Sequence, residues 1–255
     1  LLFRPWRDEG NEAAECQVCH HEHPETRVVD GVRKCLPCLA YEDLGDALRR
    51  ARYVVWDEVE PAFTGDEGSA GGPDEVLRAL GADVRLAVDV PPPTASARRI
   101  LALSDAALSA LAAGPRVAVG RMYLVNVTPD RHGRVASNDE LAEASRGIDR
   151  LGVLRMDVDD LGRILNTGLG DLASLSRMAT LSAAIRRFFE GWVASRAAEH
   201  NPPGGVQRVY SIYSGGDDLF FVGAWDALAE LALQIRNDFR RYACGHPAQI
   251  GRAHV

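Results

Sequence analysis

The chain has 255 residues, of which 46% are hydrophobic and 25% charged, an ordinary globular composition with enough apolar material for a buried core. The formal net charge of -7 argues against free nucleic-acid binding through a broad basic surface, and leaves room for a local patch or a partner. No apolar run reaches the roughly 18 residues of a membrane span. Leu1-Leu2-Phe3 is followed at once by Arg4, Pro5 and Trp6, not by a signal-peptide core, so the sequence reads as cytoplasmic and without a membrane partner.

Residues 1–15 are charged and aromatic without clear periodicity. Cys16-x2-Cys19 is then followed, after 15 residues, by Cys35-x2-Cys38. Two such pairs at this interval match a four-cysteine structural zinc site, because each short turn can aim two thiolates at one tetrahedral ion. Asp30-Gly31 can turn the hairpin that brings the pairs together. His20, His21 and His23 are spare nitrogen donors left out of the expected ligand set, and Cys244 reads as a buried or incidental thiol. Leu44, Ala47, Leu48 and Ala51 have helical spacing, and Tyr53–Trp56 reads as a strand. A loop is expected over 64–73, with Asp74 capping a short helix to Leu80. Strands are expected at 84–90, near 99–103 and over 116–127. A loop or hairpin turn should follow over 129–138, and Ser137 or Asn138 should cap a helix at 139–146.

The second half predicts a buried strand at 152–158 and a helix from Leu161 to about Leu169. A long helix should run from about Leu172 to Ala198, with an apolar stripe of Leu172, Leu175, Met178, Leu181, Ile185, Phe188, Phe189 and Trp192. Asn201-Pro202-Pro203-Gly204-Gly205 should stop it. A hairpin of 206–213 and 219–222 then turns at Gly215-Gly216, and Asp226 to about Tyr242 forms the last helix. Strand, helices, hairpin and helix in this order suggest an α+β fold with helices on one face of an antiparallel sheet.

Two acidic clusters stand at strand ends. Tyr213-Ser214-Gly215-Gly216-Asp217-Asp218 lies between two apolar β-like runs, and Asp157, Asp159 and Asp160 close the earlier strand. Asp157 shares a face with Val153 or Arg155, depending on where its strand bends. Asp217 and Asp218 are neighbours that an ideal strand would point to opposite faces, so both serve one cluster only if the turn distorts the strand. Hard divalent cations, Mg2+ or Mn2+, prefer such oxygen ligands. Two ions about 3.5–4 Å apart can clamp the attacking and leaving oxygens of a phosphoryl transfer. The amides of Asp160, Leu161 and Gly162 open a helix that can hold a triphosphate. Arg186, Arg187, Arg240 and Arg241 read as solvated helix faces.

These motifs carry a resemblance. GVLRMDVDDLG at 152–162, SLSR at 174–177 and YSGGDDLFFVG at 213–223, with the paired CxxC module upstream, resemble the large signature subunit of type III CRISPR effector complexes of the Csm (III-A) kind, over about residues 10–249. The resemblance implies a ferredoxin-like, cyclase-type palm at 148–249. A zinc-ribbon-containing module at 1–56 and a small α/β linker domain at 57–147 would precede it. It implies a metal-dependent nucleotidyltransferase that converts ATP to cyclic oligoadenylate when target RNA binds. Asp157, Asp217 and Asp218 would bind Mg2+ or Mn2+, and Ser214, Gly215 and Gly216 would lie against a nucleotide. Cys16, Cys19, Cys35 and Cys38 would hold the zinc. Guide RNA, target RNA and other effector subunits are the implied partners. The family's HD nuclease segment, most of its first palm, its last palm strand and its C-terminal helical domain have no counterpart in the sequence, and 250–255 reads as a non-native tail. Two other readings stay open. One is a GGDEF-like dinucleotide cyclase, although Leu219 follows Asp218 where that signature continues differently. The other is an inactive palm and zinc scaffold of a ribonucleoprotein.

Overall fold

The computed structural model describes residues 14–61, 72–92 and 98–245. The expected tail at 250–255, the patternless stretch up to 13 and most of the 64–73 loop lie outside these residues. The chain divides into two compact units, residues 1–122 and 123–255.

The first unit opens with a hairpin of β1 (Thr26–Val29) and β2 (Val32–Cys35). It turns at Asp30 and Gly31, both at positive φ, 52° and 78°, as a type I′ turn requires. Helix α1 (Leu36–Arg50) follows directly, capped by the Cys35 thiol, which accepts from the Cys38 amide. Four further strands, β3 (Tyr53–Glu58), β4 (Ala82–Ala87), β5 (Arg98–Ala102) and β6 (Val117–Arg121), pair in the order β4-β3-β5-β6, with only β5 and β6 parallel. Helix α3 (Asp105–Ser109) makes the parallel crossover and buries Ala107 against Tyr53, Ile100 and Ala102. The short helix α2 (Pro73–Ala79) is capped by Gly72, not Asp74, because Pro73 takes the first helical position, where its missing N–H costs nothing. The strand expected to reach Val90 stops at Ala87, and the strand expected to reach 127 stops at Arg121.

The second unit is a three-stranded antiparallel sheet with helices on one face. Its strands are β9 (Leu151–Asp157), β10 (Val209–Gly215) and β11 (Asp218–Ala224), ordered β10-β11-β9. Before them come the small hairpin of β7 (Asp130–Arg131) and β8 (Arg134–Val135) and helix α4 (Asn138–Glu143). Ser137 and Glu140 cap α4 reciprocally as a capping box. Strand β9 alternates strictly: Gly152, Leu154 and Met156 are buried, while Leu151, Val153, Arg155 and Asp157 are exposed. Leu154, Met156, Leu219 and Phe221 pack on Leu228, Leu231, Ile235 and Phe239 of α8 (Trp225–Tyr242) and on Phe188, Phe189, Val193 and Ala197. Each such side chain contributes about 1.5–3 kcal/mol on burial. In the sheet, Gly152 and Gly223 permit close approaches, since a Cβ on Gly223 would lie 2.2 Å from the Arg208 carbonyl oxygen and one on Gly152 2.8 Å from Trp225 Cα.

The long helix differs from its expected form. After α5 (Leu161–Thr167) and one 3₁₀ turn (Gly170–Leu172), α6 (Leu175–Arg186) starts at the Ser174 cap. It passes through a π-helical segment, Arg187–Trp192, into α7 (Val193–Ala198). Leu172 and Leu175, expected in the apolar stripe, are 65% and 85% exposed, and Trp192 is 47% exposed. The wider π turn shifts the helical phase, so the buried set continues from Ile185, Phe188 and Phe189 to Val193 and Ala197. Beyond the helix, the Asn201 side chain accepts from the Arg208 and Val209 amides and donates to the Val209 carbonyl, which fixes the start of β10. The segment before β7 also joins this unit: Val125 and Val127 are buried in its core, and the Ser211 amide donates to the Val127 carbonyl at 2.8 Å.

Candidate active site and zinc module

The hairpin of β10 and β11 presents the carboxylates. It turns at Gly216-Asp217, one residue later than expected, with Gly216 at φ 66° and Gly215 paired with Asp218. Glycine first in a two-residue turn is the type II′ pattern, where a side chain at positive φ would be strained. This resolves the problem of two adjacent aspartates. Asp218 is the first residue of β11 and sits opposite Asp157 of β9, on the sheet face away from the helices. Asp217 belongs to the turn, and its carbonyl accepts from the Val158 amide at 3.2 Å. Burial, together with the charges of Asp157 and Asp218, pushes the Asp217 carboxyl above its ordinary range. Asp157, Asp217 and Asp218 thus lie near one end of the hairpin, and their hard oxygen donors suit Mg2+ or Mn2+ in kind.

Ser214 points elsewhere. It shares a rung with Leu219 and Met156, on the helix-covered face, and its hydroxyl donates 2.8 Å to the Phe189 carbonyl of the π segment. It anchors the hairpin to that helix. Glu190 of the same segment pairs with Arg186 at 3.3 Å and lies 3.4 Å from where a Cβ on Gly215 would stand. Nothing in the helical periodicity marks Glu190 as a fourth carboxylate near the turn. Asp160 is the N-cap residue of α5 at φ 57°, a conformation Asp tolerates better than most residues, and its carboxylate pairs with Arg163 at 2.8 Å. Leu161 and Gly162 form the first turn of this seven-residue helix. Arg186, Arg187, Arg240 and Arg241 are all exposed, as is Cys244, which had been expected to be buried or incidental.

Tyr213 is the residue that sequence reading passed over. The pairing register slips between Ser211 and Tyr213, leaving Ile212 as the extra residue. In a regular strand Tyr213 would follow Ser211 onto the helix-covered face. The slip puts it opposite Phe220, which faces Arg155 on β9. Its ring stacks on Phe220, with centroids 6.1 Å apart and planes 11° from parallel, and its hydroxyl donates 2.8 Å to Asp218 Oδ2.

In the first unit, the Sγ atoms of Cys16, Cys19, Cys35 and Cys38 all lie within 4.8 Å of one another. Tetrahedral Zn–S bonds of about 2.3 Å place sulfurs about 3.8 Å apart, and Cys19 and Cys35 stand 3.8 Å apart. The Cys35 amide donates to Cys16 Sγ at 3.2 Å. Although burial opposes it, the amides of Cys19, Cys35 and Val18 hold the Cys16 thiol down at about 6. Burial pushes the thiols of Cys35 and Cys38 up. Four cysteine sulfurs at these distances make a donor set that fits zinc. His23 Nε2 stands 3.4 Å from Cys19 Sγ, and His20 and His21 contact Glu15 and the Cys19 carbonyl. Among the described residues no helix is long and apolar enough to cross a membrane.

Comparison with known proteins agrees with this geometry. Residues 150–252 match the family model of the Cas10/Cmr2 second palm domain. A relative from Methanocaldococcus jannaschii, the CRISPR system single-strand-specific deoxyribonuclease Cas10/Csm1 (subtype III-A), is 42% identical over 123 residues, which cover 45% of this chain and 15% of the relative. Two crystal structures of a Csm1–Csm4 cassette share the fold. One, in complex with one ATP, has a TM-score of 0.59 at 24% identity and covers 82% of this chain and 28% of the matched chain. The other, in complex with cA4, has a TM-score of 0.55 at 24% identity and covers 75% and 27%. The chain thus spans well under a third of the length of these proteins. Residues 150–252 are thus similar in sequence to the Cas10/Cmr2 second palm domain, and the chain shares its fold with part of the Csm1 structures.

Proposed function

We propose that the chain is part of the large subunit of a type III CRISPR effector, and that its palm converts ATP to cyclic oligoadenylate when target RNA is bound. The observation that carries this reading is the cross-strand pairing of Asp157 with Asp218 beside Asp217 of the turn. When bound there, Mg2+ or Mn2+ would supply charge stabilisation for the attacking hydroxyl and the leaving pyrophosphate. Asp157, Asp217 and Asp218 would hold it, being the hard oxygen donors that lie near this end of the hairpin.

The remaining roles follow from shape. Gly215 and Gly216 leave the hairpin backbone bare, so a nucleotide can approach it closely. The first amides of α5, at Asp160, Leu161 and Gly162, lie just beyond Asp157 and would receive part of the triphosphate. Ser214 acts one step away, by tying the hairpin to the π segment through Phe189. The 3′-hydroxyl of one ATP would attack the α-phosphate of another and release pyrophosphate. The ATP and cA4 held by the two structures of the same fold support this substrate and product class. The four cysteines would carry a structural zinc with no open position. Guide RNA, target RNA and neighbouring effector subunits would be the partners, the last supported by the Csm1–Csm4 assemblies of similar fold.

The test uses the chain within its complete gene product, assembled with guide RNA and partner subunits. ATP, magnesium and cognate target RNA are added, and products are read by mass spectrometry. Cyclic oligoadenylates from wild type that vanish in Asp217→Ala/Asp218→Ala are expected. Absence of product from a target-bound wild-type complex would refute the synthase reading and favour a scaffold.

A further inference from the structure

We infer that Tyr213 is a positioning residue, whose phenol holds the Asp218 carboxylate in the orientation that receives divalent cation. The inference rests on the metal reading of the palm and assigns a residue to it.

Three observations converge. First, the register slip at Ile212 is what brings Tyr213 onto the carboxylate face, and bulges beside active sites commonly re-aim one side chain in this way. Second, the ring is fixed by stacking on Phe220, although Tyr213 is 43% exposed and has no core to hold it. Third, the hydroxyl so placed donates 2.8 Å to Asp218 Oδ2. The terminal torsion of an aspartate is broad, so an exposed carboxylate at a strand end samples many orientations. A donor on one oxygen narrows that range and leaves Oδ1 to coordinate. Hydrogen bonds of this kind, from groups that do not touch the metal, typically set metal affinity by about 10–100-fold. A purely structural tyrosine would need the stack and not the hydroxyl.

The experiment measures Mn2+ binding by electron paramagnetic resonance of the free ion, on the full chain. It compares wild type, Tyr213→Phe, Asp218→Asn, the double variant, and Tyr210→Phe as a control phenol on the same sheet face. Thermal unfolding without metal is recorded for each. Tyr213→Phe keeps the stack, so its unfolding midpoint should match wild type while Mn2+ affinity falls about 10-fold or more. In the Asp218→Asn background the same change should have little further effect, and Tyr210→Phe should bind as wild type. Wild-type affinity in Tyr213→Phe, or an equal loss with and without the Asp218 carboxylate, would overturn the inference. A wild-type chain that binds no Mn2+ would remove the metal reading and the inference with it. Mn2+ binding that depends on Tyr213, in a protein that makes no nucleotide product, would leave the inference standing and refute the transferase reading.

Discussion

Asp217→Asn should make the metal-free protein more stable, although it damages the proposed site. Burial and the charges of Asp157 and Asp218 raise the folded-state pKa of Asp217 above its unfolded value. Below the unfolded value the carboxyl is protonated in both states and contributes nothing. As pH rises from the unfolded value through the folded value, charge is forced into the cluster and stability is lost. Asparagine keeps the shape and removes that charge. A near-surface charge pair is worth about 0.2–1 kcal/mol, so removing the Asp217 charge should gain on the order of 1–4 °C in Tm for a domain of this size. Divalent metal should reverse the order. Ligand at 100 times its Kd adds about 2.7 kcal/mol to the form that binds it, and wild type should gain more of this than the variant. Denaturant and thermal unfolding at pH 7 and pH 3, with and without Mn2+, test all three statements. A variant less stable than wild type at pH 7 without metal, or a difference unchanged at pH 3, would refute the electrostatic argument.

Four further outcomes are expected. Purified chain should carry one zinc, measured by elemental analysis, and Cys35→Ser should lose it, because Cys35 is fully buried and its thiol also caps α1. Gly223→Ala should destabilise the palm by about 3 kcal/mol or more in chemical denaturation, since the added Cβ would stand 2.2 Å from the Arg208 carbonyl oxygen, and backbone cannot rotate away. Ser137→Ala should cost about 1 kcal/mol by removing the α4 cap. The reciprocal partner Glu140 is held down to about 2, chiefly by Arg134 and then by the Ser137 amide, so its contribution should be full above its ordinary 4.5 and vanish as pH falls to about 2. Unfolding of Glu140→Gln across that window would show the wild-type advantage shrinking toward acid.

Much of the architecture was legible in local pattern. The strand at 152–158 was legible, but its alternation was not: it was expected to be buried, and Leu151 and Val153 on its outer face are apolar yet exposed. The clustering of Cys16, Cys19, Cys35 and Cys38 followed from their spacing, since short turns dictate where the thiols point. Asp157 and Asp218, read from separate acidic clusters, stand opposite each other in the sheet beside Asp217 of the turn. What escaped the sequence depends on one-residue shifts. The π segment at Arg187–Trp192 puts Val193 and Ala197 in the core where the regular stripe would have Trp192, and no 3.6-residue periodicity encodes that insertion; Leu172 and Leu175 are exposed at or before the first turn of α6. The slip at Ile212 turns Tyr213 from the core face to Asp218, and it arises from pairing with a strand that the linear pattern treats as separate. Val125 and Val127 read as the tail of a strand, yet they join the palm core, where the Ser211 amide donates to the Val127 carbonyl across 84 positions of sequence. Residue type and spacing therefore determined which groups are candidates for the chemistry. Tertiary pairing alone decided which of them share a face, because a single-residue change of register inverts every side chain beyond it.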